Sequence, residues 1–221
     1  MLTLHNNRLL SDPNIVYDEA DCRGNIAAKT LLRTVSERYI KRAQRNGPFL
    51  LQFTDLHASN IFVGEAWNVT CLLDLEWVCA LPSEMLAVPY WFTGYKANWP
   101  KGDRLEEFNT IRYEFIRILD VKERKVGAKH RTSLSVVMEG MWDSKGVWFW
   151  YYIESVNAMY YLVADRLCPQ YGESLSPKVE MTLSSFWCVD SESAVQGKVD
   201  ELEIYQKDLR RVFCEDEPGG P

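Results

Sequence analysis

Four side chains in one short stretch have the types and spacing for chemistry: Asp55, Asn60, Asp74 and Glu76. Asp55 and Asn60 lie in a polar break, Thr54 to Asn60, that follows the apolar run Phe49 to Phe53. The runs Ile61-Phe62-Val63 and Val69 to Leu73 are rich in β-formers. Between them lies Gly64-Glu65-Ala66-Trp67-Asn68, a connection of hairpin length that contains glycine. Antiparallel pairing of the two runs puts Asn60, just before the first, and Asp74, just after the second, at the same end. Asp55 sits in the loop leading there. Two carboxylates and an amide oxygen then converge on one small region, the hard oxygen donors and the base that magnesium-dependent phosphoryl transfer requires.

Glu76 is one residue removed from Asp74. In extended chain both carboxylates would face the same side, where Glu76 could assist a second metal ion; an ion pair with a basic residue is the equally weighted alternative. His57 is expected to pack or hydrogen-bond within the loop rather than to catalyse. Trp77, Tyr90 and Trp91 could line a pocket for a cationic ligand, but aromatic residues after a buried strand more often belong to the core, and that is the expectation. Acids farther along, such as Glu106, Glu107, Glu154 and Asp165, could attract an amine, yet charges on helix surfaces are usually solvated.

The elements around these residues read as a mainly helical α+β chain. From Ala28 the residues Leu31, Leu32, Val35, Tyr39 and Ile40 recur at helical spacing, and Arg38, Lys41, Arg42 and Arg45 gather at the end that favours cations. Gly47-Pro48 then stops the helix. Phe49 to Phe53 is predicted as a short buried strand feeding the polar loop. Beyond Pro100 two stripes are predicted on helices, Leu105, Phe108, Ile111, Phe115 and Ile118, then Trp148, Tyr151, Tyr152, Val156, Met159, Tyr160 and Val163. A last helix is predicted from about Ser191 to Phe213, before a flexible acidic tail over 215–221. There is no internal repeat, so residues 1–214 read as one domain.

At the loop itself the wording becomes specific. Leu51-Gln52-Phe53-Thr54-Asp55-Leu56-His57-Ala58-Ser59-Asn60 is similar to the D-x-x-x-x-N catalytic loop of kinases and aminoglycoside phosphotransferases. Leu73-Asp74-Leu75-Glu76-Trp77 looks like the metal-binding segment that follows it. With Gly47-Pro48-Phe49, Asn60-Ile61-Phe62-Val63, Ala80-Leu81-Pro82-Ser83-Glu84-Met85 and Pro89-Tyr90-Trp91, the stretch from Gly47 to Gly94 resembles the fungal branch of the aminoglycoside phosphotransferase-like family. The resemblance implies a protein kinase-like C-terminal lobe whose hairpin carries the catalytic loop and metal-binding segment. It implies Mg2+ and ATP as cofactors and a small-molecule hydroxyl as acceptor. Asp55 would accept or orient the hydroxyl proton, while Asn60 and Asp74, with Glu76 assisting, would hold magnesium against the nucleotide phosphates.

The sequence departs from that family in two ways. Members carry histidine two places before the catalytic aspartate, where Phe53 stands here, which removes a polar brace from the loop. The 54 residues ahead of Asp55 hold neither a Gly-rich phosphate loop nor a V-A-I-K-like strand, so the nucleotide-gripping N-terminal lobe is absent from them. The expectation is a truncated phosphotransferase, weakly active or inactive alone; the alternative is a non-catalytic binding or interaction module on the same fold. An apolar surface normally covered by the other lobe would then be exposed and favour self-association.

Composition excludes several classes. A net charge of -6 with interspersed Lys and Arg leaves no basic stripe for a nucleic-acid backbone. The longest strongly apolar run, Val147 to Ile153, is far short of the roughly 20 residues a membrane helix needs, and Met1 to Leu10 lacks the apolar core of a signal peptide. The six cysteines, at 22, 71, 79, 168, 188 and 214, include no CxxC pair and no cluster with histidine, and read as reduced core thiols. A cytoplasmic location with no membrane partner follows as the expectation.

Overall fold

The computed structural model describes residues 2–94, 102–126, 132–154, 159–172 and 174–214. It is mainly helical, with two small antiparallel sheets. The chain divides into two compact units, one made of Met1–Ser36 with Tyr152–Pro221 and the other of Glu37–Tyr151. Among the described residues no helix is long and apolar enough to cross a membrane. The tail over 215–221, and the stripe position Val156, lie outside the described residues.

The first unit is built from α1 (Leu2–Ser11), most of α2 (Glu19–Tyr39) and, later in the chain, α6 (Met159–Leu162), α7 (Pro177–Ser185) and α8 (Ser191–Cys214). Local capping explains where these helices start. Asp18 accepts the amide of Asp21 at 2.8 Å while Asp21 reaches back to the Tyr17 amide at 3.0 Å, a reciprocal arrangement that satisfies donors the first turn leaves free. Ser176 caps α7 ahead of Pro177, and Asp190 accepts the Ser193 amide at the start of α8. The core is Leu9, Val16, Cys22, Ile26, Val195 and Leu202, flanked by Ile15 and Trp187. Burial pushes the Cys22 thiol up to about 11, which keeps it protonated and inert at neutral pH.

In the second unit, β1 (Phe49–Phe53) pairs antiparallel with β4 (Val78–Pro82), and β2 (Ile61–Val63) pairs antiparallel with β3 (Val69–Leu72). After them in the chain come α3 (Asp103–Val126), α4 (Leu134–Asp143) and the start of α5 (Gly146–Glu154). Val88, Phe108, Ile116 and Met138 form its core, with Phe92, Phe115 and Trp142 against it. The Tyr151 hydroxyl donates to the Val88 carbonyl at 2.8 Å, and Tyr39 stacks on Phe149 at 4.9 Å between ring centres. Glu123 anchors the start of α4 by accepting the Leu134 and Ser135 amides at 2.6 and 3.1 Å and the Ser133 and Ser135 hydroxyls.

The helix expected from Ala28 to Arg45 starts earlier, at Glu19, and gives way after Tyr39 to a short 3-10 turn at Arg42–Gln44. On α3 the buried positions are Phe108, Arg112 and Ile116, while Ile118 is exposed. Arg112 takes an inward position because its guanidinium lies 4.5 Å from the Trp142 ring and bonds to Asn109 Oδ1. In the second stripe Trp148, Tyr151, Tyr152 and Val163 are buried as expected, but every residue from Val147 to Ile153 is buried, so that stretch has no periodicity. Of the five cysteines whose side chains are described, Cys22 and Cys168 are buried, Cys71 and Cys188 are exposed, and Cys79 is between.

Candidate functional site

The strand over Phe49 to Phe53 and the hairpin of Ile61–Val63 with Val69–Leu72 are present, but the strand is not buried as expected: Phe49, Leu51 and Phe53 are exposed, because a two-stranded ribbon leaves one of its faces uncovered. The hairpin turn closes through the Gly64 amide on the Asn68 carbonyl and the Trp67 amide on the Gly64 carbonyl, both at 2.9 Å. What sequence reasoning did not supply is the pairing of β1 with β4, whose innermost pair is Phe53 opposite Val78. That pairing makes two connections, 54–60 from β1 to β2 and 73–77 from β3 to β4, run between the same two ribbons in opposite directions.

Hydrogen bonds tie the two connections together at both ends. Trp77 carbonyl accepts from the Thr54 amide at 3.1 Å and from the Thr54 hydroxyl at 2.6 Å. At the other end the Leu73 amide donates to the Asn60 carbonyl at 2.9 Å. Asp55 therefore follows directly on one tie, and Asn60 and Asp74 flank the other. Thr54 went unnoticed in the sequence, although a hydroxyl residue just before the candidate base in a turn is the available signal.

Each candidate side chain has its own setting. The Asp55 carboxylate is about half exposed and holds His57 Nε2 at 3.1 Å from Oδ1, so His57 is the hydrogen-bonding loop residue expected of it. This bond fixes one carboxylate oxygen and leaves Oδ2 for another partner. Asn60 is 7% exposed; its Oδ1 accepts from Ser59 at 3.1 Å and its Nδ2 has no partner among the described residues. A buried amide with a donor unspent is costly. Turning the amide over would let Nδ2 donate to the Ser59 hydroxyl, and the two orientations are isosteric.

Asp74 has φ 54° and ψ 51°, the left-handed region that costs a side-chain-bearing residue about 1 kcal/mol and that aspartate tolerates better than most. The turn lets the chain leave β3 and enter a 3-10 turn at Leu75–Trp77. It also removes the premise for Glu76: Asp74 to Glu76 is not extended, so alternation no longer places the two carboxylates on one side. Both remain exposed.

Among the described residues no group of three or more His, Cys, Asp or Glu side chains gathers as a metal site. Any cation here would rest on Asp74 and the Asn60 amide, with the remainder supplied from outside the chain. Trp77, expected in the core, is exposed, whereas Trp91 is half-buried edge-on to Phe92 at 4.6 Å between ring centres. Glu106, Glu107, Glu154 and Asp165 are all exposed.

No protein-family model, no curated protein and no solved structure gives a significant match to this chain, so the family resemblance rests on the quoted residues alone.

Proposed function

We propose that loops 54–60 and 73–77 form the phosphoryl-transfer site of a kinase-like, aminoglycoside phosphotransferase-like lobe that takes Mg-ATP and a small-molecule hydroxyl. The observation that carries this reading is the double tie between the loops, Thr54 to Trp77 and Leu73 to Asn60, which keeps the candidate base and the oxygen donors in one assembly.

In this reading Asp55 takes the proton of the acceptor hydroxyl through Oδ2, with His57 orienting the carboxylate through Oδ1. Asn60 and Asp74 would hold the magnesium ion, and Glu76 ranks behind them because it no longer shares an extended alternation with Asp74. When bound, the ion neutralises charge on the transferring phosphoryl group.

The test is calorimetric titration of Mg-ATP into the chain and its Asp74→Asn variant. Asparagine tolerates the left-handed backbone at this position, so the substitution removes charge without adding strain. The expected outcome is millimolar-range affinity, worth about 4 kcal/mol, that requires Mg2+ and falls roughly tenfold in the variant. Equal binding by both chains would discard the metal assignment. The second reading, a non-catalytic interaction module, is favoured by the exposed apolar ribbon of β1 and β4; it would be supported if neither chain bound nucleotide while both remained folded.

A further inference from the structure

The register of the β1–β4 ribbon places Phe49 opposite Pro82, Leu51 opposite Ala80, and Phe53 opposite Val78. Directly opposed residues in an antiparallel pair share a face, so one face of the ribbon is apolar throughout. It is also open. Phe49, Leu51 and Phe53 are 54%, 77% and 51% exposed, whereas Leu50 and Gln52 on the other face are half-buried.

The two ends of this face carry opposite charge. At the Phe49–Pro82 end the Ser83 amide donates to the Pro48 carbonyl at 3.1 Å, and the buried Glu84 carboxylate accepts the Lys41 amide at 2.7 Å. These bonds bring the segment 41–45 to that end. Its Lys41, Arg42 and Arg45 are exposed, and Glu37, 3.5 Å from Arg42, offsets only one of them. At the Phe53–Val78 end the loops that leave and enter the ribbon carry the exposed Asp55, Asp74 and Glu76. From Asn46 to Gly94 there is no Lys or Arg to balance these acids.

A face with a cationic end and an acidic end is complementary to itself turned end for end. Two copies can meet on it about either of two two-fold axes. An axis along the strands sets cations on cations and acids on acids, which is repulsive at both ends. An axis across the strands sets the 41–45 segment of each copy over Asp55, Asp74 and Glu76 of the other, stacks Phe49 over Phe53, and brings Leu51 against its own counterpart. We propose that the apolar face of the β1–β4 ribbon docks a second copy of this chain in this antiparallel, two-fold arrangement. Five-residue strands run about 16 Å and lie about 5 Å apart, so the face offers on the order of a few hundred Å2, less than the roughly 800 Å2 per partner of a stable complex. The dimer is therefore expected at high protein concentration, with the face in water in dilute solution. The inference does not depend on phosphoryl transfer, and its measurements use no nucleotide, so either reading can fail alone.

Sedimentation velocity of the full chain over a concentration series should show a reversible monomer–dimer equilibrium. Leu51→Ser should weaken it about tenfold or more, while Phe213→Ser, at an exposed apolar position on α8, should leave it unchanged. Making both ends acidic with Arg42→Glu and Arg45→Glu, or both basic with Asp55→Lys and Glu76→Lys, should weaken self-association by a similar factor. An equimolar mixture of these two variants should dimerise again, an outcome that chains unable to fold could not give. Leu51→Cys reads the axis without altering charge: under mild oxidation it should cross-link to itself well above the unaltered chain, whose exposed Cys71 and Cys188 set the background. A monomer at every concentration would overturn the proposal and leave the face to a different partner. So would a dimer that survives Leu51→Ser, charge variants that dimerise as the unaltered chain does, or no excess cross-linking of Leu51→Cys.

Discussion

Within the Glu37–Tyr151 unit, the helices and the β ribbons spend similar residues in opposite ways. Phe108 on α3 and Phe149 on α5 are almost wholly buried, while Phe49, Leu51 and Phe53 on β1 stand at least half exposed. A helix can bury one stripe, or several successive residues on every side, as α5 does from Val147 to Ile153. A two-stranded ribbon has two faces and is marginal until something covers one of them. Hydrophobicity alone does not distinguish these outcomes; the number of covering layers does. The candidate site belongs to the under-covered region, where polar loops are held by a few hydrogen bonds rather than by a core.

The sharpest way to break this comparison is to truncate one residue in each region. Phe108→Ala should cost about 3–5 kcal/mol through lost burial and the cavity left behind. Leu51→Ala should stay within about 0.5 kcal/mol, because the side chain is already in water. Urea unfolding of both variants measures the difference, and similar losses would mean that the ribbon face is covered in solution.

Burial of a charge-bearing group offers an intermediate effect. Lys29 on α2 is 4% exposed, and burial pushes its ammonium down to about 8. Between pH 8 and the ordinary lysine value of 10.5 the unfolded chain holds a proton that the folded chain has released. Stability should therefore rise with pH across that window, and the contribution is lost again as pH falls through it. Lys29→Met should stabilise the protein at pH 7 by on the order of 2 kcal/mol and flatten that rise. Denaturation at pH 7 and pH 9.5 checks both statements; a destabilised methionine variant would show that the ammonium has a partner worth more than its desolvation.

The smallest expected effect concerns the tie itself. Thr54→Val removes the hydroxyl bond to the Trp77 carbonyl and leaves the amide bond in place. The cost should be about 1 kcal/mol, with hydrogen exchange accelerating at residues 54–60 and 73–77 ahead of the helices. Exchange that changed uniformly would mean that the loops are held by more than these bonds.

Local signals were legible in the sequence where chain neighbours decide the outcome. The run Phe49 to Phe53, bounded by Gly47-Pro48 and the polar loop, is the strand β1, and the hairpin followed from β-formers around a short glycine-containing turn. The last helix, expected over Ser191 to Phe213, runs Ser191–Cys214. Non-local facts were not legible. Nothing near Phe53 announces that Val78 lies opposite, since ribbon pairing is set by chain closure over the intervening hairpin. The same limit hid the exposure of Leu51, the inward place of Arg112 and the left-handed turn at Asp74 that undid the argument for Glu76. That Asp55, Asn60 and Asp74 fall in neighbouring loops was legible because their spacing speaks through local elements; the Thr54 tie was not, because its partner Trp77 lies in another element.

The central claim is that the two tied loops make one oxygen-donor site, and Mn2+ in place of Mg2+ tests it directly. With Mn-ATP added to 15N-labelled chain, paramagnetic broadening should be strongest at the Asn60 side-chain amide and the backbone amides of Asp55 and Asp74. It should weaken about tenfold at all three in Asp74→Asn, in line with the expected loss of affinity. Broadening that spares these groups, or that centres on the exposed carboxylates Glu19 and Glu192 beside Arg23, would contradict the account.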